Sequence, residues 1–446
     1  MTIAACAGSD SSFGLPGAGE RWRKEQPCLK VPLTIPNEDL TLASGLPSWQ
    51  LAIRDSTWTT RGWTYQEIIL SRRMLFFTEW QVYFACAAMT CSESLLPGIE
   101  YAEDQTLGSG GALHPDILDG RLEGLILTGR VRNIKPIERL SDHLRAFTKR
   151  RLSREDDILN TFRGILSRSS FRTFYGIPVQ VSFPTNISDL LTTQEVPGVF
   201  LWGLLWEPIP KIQTEGGGYL SRHRWACESL SRRSGFPSWS WAGWKGQVQL
   251  GFNAKQAIKN RSFQVDRIAQ TKVLVGGENG VMTPLPNFLI AAEDQDILPE
   301  LSPYIYIEAQ VFQFRFQCIK TDNHQVKEAI GFCYCHPHAV HPGDLYRSEI
   351  CETINGQALI FCQYPKAKDS EYDRMIERSW DCILLATGVW TPAWVSKLHV
   401  FYSFLIVDWV GETAYRVDTL RLSLPPGGFG WIRQGAPNSR RLVKLG

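Results

Sequence analysis

The densest run of metal-ligand chemistry in this chain is Cys333, Cys335, His336, His338 and His341, which gathers three of the eight histidines into nine residues. Sulfur and imidazole donors of this kind suit zinc. The Cys-x-Cys spacing, however, is not the Cys-x-x-Cys of structural zinc sites, and no second ligand pair stands elsewhere in the sequence. Two cysteines at alternate strand positions share a face and pack inward, so no metal and no cofactor are expected. Trp239, Trp241 and Trp244 could form a ligand platform. At period two, Trp239 and Trp241 share one face of a strand, and the expectation is a core strand. The basic run Lys149-Arg150-Arg151, with Arg154, has the charge of an anion site, yet cations also suit a helix C-terminus, and a solvated helix end is expected. In Arg61-Gly62-Trp63-Thr64-Tyr65-Gln66-Glu67, Thr64 precedes Glu67 by three. That is a capping box, with Arg61 and Trp63 anchoring the turn. No Walker loop, His-Glu-x-x-His or Gly-x-Ser-x-Gly elbow occurs, so phosphate-loop, zinc-protease and hydrolase chemistry find no support.

The elements that would position these residues follow from periodicity. Residues 2–7 are small and apolar, fit for a buried strand or a helix end, and a turn-rich loop follows over 8–17. Residues 20–60 are punctuated by Pro27, Pro32, Pro36 and Pro47, with room for a short strand at Leu29–Val31. Arg61 to Glu67 opens a short helix. Met74 to Phe77 and Gln81 to Cys86 read as a hairpin joined by Thr78-Glu79-Trp80. Residues 92–136 are rich in glycine and read as a loop or linker. Ile137, Leu140, Leu144 and Phe147 then fall on one helical face. Ser153, three before Asp156, precedes a second apolar face of Ile158, Leu159, Phe162, Ile165 and Leu166. Residues 199–206 read as helix. From 236 onward strands dominate, including Tyr304 to Gln317, 358–363, 382–387 and 400–410. The expected organisation is 1–91, a linker at 92–136, a mainly helical region at 137–235 and a strand-rich region at 236–446, in a mixed α+β fold.

Composition bounds the function. Of 446 residues, 43% are apolar and 21% charged, an ordinary globular balance. Lys plus Arg is 47 against 45 Asp plus Glu, a net charge of +2, which removes the electrostatic case for a nucleic-acid binder. The 11 cysteines are scattered and odd in number, as expected of reduced thiols in a cytoplasmic protein rather than a disulfide scaffold. The start of the chain has no basic residue before its apolar stretch and makes a poor signal peptide. The apolar runs, such as Val199 to Trp206, are under half the length of a membrane span.

Arg61-Gly62-Trp63-Thr64-Tyr65-Gln66-Glu67, followed by Ser71, Arg73 and Phe76-Phe77, resembles the closing motif of the fungal heterokaryon incompatibility (HET) domain. Gly8-Ser9-Asp10 and Gly14-Leu15-Pro16-Gly17 resemble the segment just upstream. Arg151-Leu152, Asp157-Ile158-Leu159-Asn160, Phe162 and Gly164-Ile165-Leu166 resemble the helices that follow. Phe236-Pro237-Ser238-Trp239-Ser240-Trp241-Ala242-Gly243-Trp244 and the final Leu445-Gly446 resemble the family's distal segments.

The resemblance implies a TIR-like α/β fold for the first part and a role in self/non-self recognition and programmed cell death through protein partners. It also implies an alternative, an NAD-consuming enzyme with Glu67 as its carboxylate. The family's Ser-Tyr-x-Trp-Gly-type and Asp-x-x-Cys-Ile-Asp-type strands do not occur in this sequence, and Met1 falls about halfway through the family's domain. Residues 1–90 are therefore expected to form an incomplete, inactive α/β remnant, with Ile3, Ala5, Phe76, Val82 and Phe84 near an unusually apolar surface.

Overall fold

The computed structural model describes residues 1–32, 39–86, 90–94, 136–168, 171–181, 195–209, 211–213, 224–226, 230–250, 271–276, 281–285, 287, 303–319, 329–335, 351–354, 357–362, 378–390, 399–424 and 438–446. Helices and strands are mixed, and the chain forms two compact units, Met1–Ser169 and Ser170–Gly446. Their boundary falls inside the 137–235 stretch: the two amphipathic helices belong to the first unit.

The first unit is built on a four-stranded sheet in the order β1 (Thr2–Ala5), β4 (Arg73–Phe77), β5 (Val82–Cys86) and β6 (Thr90–Ser92). β1 runs parallel to β4, and the expected β4–β5 hairpin is antiparallel. A separate hairpin, β2 (Cys28–Pro32) with β3 (Asp39–Ala43), lies in the crossover from β1 to β4, as do α1 (Trp49–Arg54) and α2 (Gly62–Leu70). Period-two alternation divides the sheet. Ala4, Met74, Phe76, Tyr83 and Ala85 are buried on its inner face, and Trp58 meets Phe76 edge-on at 6.1 Å between ring centroids. The outer face is apolar but uncovered in part: Ile3 is 53% exposed, Ala5 is exposed, and Leu75, Phe77, Val82 and Phe84 are half-buried. Phe76 is the exception among the residues expected there; its parity turns it inward.

α3 (Pro136–Thr148) and α4 (Ile158–Arg168) are the two amphipathic helices. Their apolar faces are buried at Leu140, Leu144, Phe147, Ile158, Phe162 and Ile165, as the spacing requires. Phe147 stacks on Phe162 at 4.6 Å, and both rings meet Tyr65 of α2. Gly164 lets α4 approach α2: a Cβ there would stand 2.5 Å from Leu70 and 2.7 Å from Gln66. Ser153 caps nothing, since the short 3-10 turn Glu155–Asp157 has Arg154 at its N-cap and no side-chain cap bond.

The second unit opens with a hairpin of β7 (Phe171–Phe174) and β8 (Ile177–Val181), turned by Tyr175 and Gly176. Both have positive φ, 48° and 80°, as a two-residue hairpin turn demands. α5 (Glu195–Leu204) packs on β8. Short pairs follow: β9 (Glu207–Pro208) with β14 (Val248–Gln249), β10 (Lys211–Gln213) with β11 (Arg224–Ala226), and β12 (Ser231–Arg232) with β13 (Trp244–Lys245).

The rest is one ten-stranded sheet of β15 (Lys272–Gly276), β16 (Met282–Pro284), β17 (Ile305–Ile319), β18 (Ala329–Cys335), β19 (Cys351–Ile354), β20 (Gln357–Cys362), β21 (Ser379–Trp390), β22 (His399–Val410), β23 (Thr413–Leu424) and β24 (Asn438–Leu445). β17 pairs with both β21 and β24, so β17, β21, β22, β23 and β24 close a ring. Along β17 the buried positions are Ile305, Ile307, Ala309 and Val311, and then Phe312 and Phe314. The switch of parity at Val311–Phe312 lets one long strand serve two parts of the ring.

Candidate functional site

The residues of the 61–67 run do two different jobs, set by which side of α2 they occupy. The helix starts three residues earlier than the capping box requires. Arg61 is its N-cap, without a side-chain cap bond, and no acidic residue lies in the first turn. Thr64 is inside the helix. Its hydroxyl donates to the Trp58 and Arg61 carbonyls at 2.7 and 2.8 Å, a bond back to the preceding turn. Glu67 is therefore not a capping partner.

Nor do Arg61 and Trp63 anchor the turn: Arg61 is exposed and Trp63 is 43% exposed. The anchor is backbone. The Gly62 amide donates to the Arg151 carbonyl and the Arg151 amide donates to Thr60, both at 2.7 Å. A Cβ on Gly62 would stand 2.3 Å from Leu152. Inward-facing members continue the pattern. Tyr65 Oη and His143 Nδ1 lie 2.7 Å apart in the core, and Gln66 Oε1 accepts from the Gly164 amide at 3.3 Å.

The basic run also behaves differently from a solvated helix end. Arg154 does pair with Asp156 at the surface. Arg150, however, is only 8% exposed. Its Nη1 donates to the Arg61 carbonyl at 3.1 Å and to Thr64 Oγ1 at 2.9 Å, and its guanidinium lies 5.0 Å from the Tyr65 ring centroid. Nε and Nη2 are buried with no hydrogen-bond partner among the described residues. Burial draws its pKa down to about 10, opposed by the charges of Tyr65 and Glu67, so it remains a cation at neutral pH. Glu67 is exposed and lies within the field of Arg61 and Arg150. Burial raises its pKa, and the attraction of both arginines works against that rise. Its carboxylate has no hydrogen bond or ion pair among the described residues.

A cavity of about 500 Å³ opens elsewhere in the first unit, at the carboxyl ends of the parallel strands β1 and β4. Crevices in that position are where open α/β sheets hold ligands. Cys6, Ser9, Asp55, Ser56, Glu79 and Trp80 are among its lining residues, and Glu67 is not. Burial pushes the Cys6 thiol up to about 12 against a hydrogen bond from Ser56; a thiol so poorly ionised is a weak nucleophile.

In the second unit Trp239 and Trp241 are buried, as expected, but they do not lie on a strand. Residues 238–240 turn and Trp241–Gly243 form a 3-10 helix, with Ser240 capping Ala242. The indole nitrogens tie the turn down: Trp239 donates to Pro303, Trp241 to Gly176 and Trp244 to Ser238, at 3.0, 2.9 and 2.7 Å. Trp239 stacks on Phe174 at 5.5 Å. Arg416, buried, lies 3.5 Å from the Trp206 ring centroid and donates to the carbonyls of Leu204 and Trp206. These groups build a core, not a platform.

Cys333 and Cys335 lie on β18, opposite Leu359 and Gln357 of β20. Their side chains, and His336, His338 and His341, lie outside the described residues. Among the described residues no group of three or more His, Cys, Asp or Glu is placed to hold a metal ion. No helix there is long and apolar enough to cross a membrane.

Arg150 was hidden in the sequence by its charged neighbours. The one signal was its place just after a helix whose inner face ends at Phe147. Comparison with protein-family models, curated proteins and solved structures returned no match.

Proposed function

We propose that this chain is a HET-type protein of self/non-self recognition and programmed cell death, acting through protein contacts rather than catalysis. Its first unit is read as a TIR-like α/β element, a reading supported by the parallel β1–β4 pair with α1 and α2 in the crossover. The observation that carries the functional reading is the outer side of that unit. β1 is an edge strand with no further partner among the described residues, and the face beside it exposes Ile3 and Ala5 next to half-buried Leu75, Phe77, Val82 and Phe84. Open edges and contiguous apolar patches are where other chains dock. The test is expression of the full chain in a fungal host, scored for death, beside Ile3→Lys and Ala5→Lys. Both positions are exposed, so the fold is retained. Death abolished by the charged variants is the expected result; no death, or death indifferent to both substitutions, refutes the reading.

A second reading, an NAD-consuming enzyme, rests on the exposed Glu67 carboxylate, unpaired among the described residues, with its raised pKa. Against it, Glu67 does not line the cavity at the strand ends. Nicotinamide released from NAD by the purified chain, and lost in Glu67→Gln, would replace the first reading with this one.

A further inference from the structure

We propose that the start of α2, with Arg61, Arg150 and Arg151 around it, binds a dianionic phosphate monoester group. The first observation is Arg150. It is 8% exposed, yet two of its three nitrogens, Nε and Nη2, have no acceptor among the described residues. Buried charged donors are ordinarily hydrogen-bonded, and one left bare marks a missing partner.

The second observation is its company. Arg61 and Arg151 are partners in a parallel bridge, which sets their Cα atoms side by side, and Arg150 Nη1 reaches the Arg61 carbonyl. Both neighbours are exposed, and neither is ion-paired among the described residues. Glu67 is the carboxylate whose field acts on Arg61 and Arg150, and it contacts neither. Three guanidinium groups against one carboxylate leave an excess of two positive charges.

The third observation is the helix end itself. α2 is nine residues long and its N-cap supplies no side-chain acceptor, so the positive pole of the helix faces the same junction. An excess of two charges, forked planar donors and a helix pole match the tetrahedral dianion of a phosphate monoester better than a single carboxylate. The bare nitrogens of Arg150 are out of contact with bulk water, where a charge-assisted bond to an incoming oxygen is strongest. Trp63, at the second helical position, is 43% exposed and offers an aromatic surface to the ester substituent.

The site makes no use of the β1 edge, so it stands or falls apart from the partner contacts proposed above. The test is equilibrium binding by the full chain in two arms, phenyl phosphate in solution and phosphatidylcholine vesicles doped with phosphatidic acid. Sodium chloride at equal ionic strength is the control. Saturable binding in either arm, weakened about tenfold or more by Arg61→Gln and by Arg151→Gln, is the expected result, and the arm that binds identifies the source of the phosphate. Both substituted residues are exposed and their variants keep the fold; Arg150→Lys is informative only if its circular dichroism is unchanged. Binding no stronger than the chloride control in both arms, or binding indifferent to both exposed substitutions, overturns the proposal and leaves water as the partner of Arg150.

Discussion

Replacing Thr64 with valine removes one hydroxyl from the junction of α2 with the chain around Arg150 and changes little else. Valine keeps the branched shape and has nearly the helix propensity of threonine. The hydroxyl donates to two buried carbonyls, of Trp58 and Arg61, and accepts from Arg150 Nη1 at 2.9 Å. The lost neutral bond is worth about 1 kcal/mol and the lost bond to a buried cation about 1.5–3 kcal/mol, so the variant is expected to lose about 2.5–4 kcal/mol. Arg150 already carries two bare nitrogens, which places the loss toward the upper end. For a unit of this size about 2–4 °C accompanies each kcal/mol, so its melting transition falls by about 5–15 °C. Calorimetry on the full chain measures this, with hydrogen exchange of the 62–70 peptide assigning the transition to the first unit. Thr64→Ser keeps the hydroxyl and is expected to cost only about 1 kcal/mol for the missing methyl. Thr64→Val within about 0.5 kcal/mol of the parent, a change no larger than an ordinary surface substitution makes, or serine as harmful as valine, would show that the hydroxyl does not hold this junction.

Gly243→Ala puts a Cβ 2.5 Å from the Pro237 carbonyl and 2.4 Å from Arg232 Nη1; backbone is among the atoms that must give, so about 1–3 kcal/mol or more is lost, read as a lower denaturant midpoint for the second unit. Burial raises the Glu67 pKa, so the folded chain holds that proton to higher pH than the unfolded chain. Between the ordinary value of 4.5 and the raised value, stability contributed by this group falls as pH rises. Glu67→Gln should remove that slope from a stability–pH profile, and a profile identical to the parent's would contradict the shift. Alkylation of the native chain at pH 8 should label exposed Cys28 and Cys91 and spare Cys6 and Cys382, because Cys6 is both buried and pushed up to about 12; mass spectrometry that finds Cys6 labelled as fast as Cys28 would contradict the burial.

Local pattern alone determined a good part of this protein. The 3.6-residue spacing of Leu140, Leu144 and Phe147, and of Ile158, Phe162 and Ile165, fixed two helices and the faces they bury. Enrichment in Phe, Tyr and Val fixed the β4–β5 hairpin, and period-two alternation fixed the odd-numbered core of β17 at Ile305, Ile307 and Ala309. Each is a property of a few neighbouring residues, because the sign of an apolar face depends only on the helix or strand repeat. What the tertiary structure decided was every matter settled by a distant partner. Thr64 and Glu67 have capping-box spacing, but the 3-10 turn at 57–60 and the Gly62–Arg151 backbone bonds start the helix earlier and place Thr64 inside it. Trp239 and Trp241 are strand-spaced, but carbonyls of Pro303 and Gly176, more than sixty residues away in sequence, hold their indoles on a turn. Arg150 stands among charges that read as solvated, yet its guanidinium is turned inward by the Arg61 carbonyl and Thr64, 89 and 86 residues distant. A polar side chain chooses its conformation by where its hydrogen bonds can be made. Where the partner lies far along the chain, only the folded backbone brings it within reach.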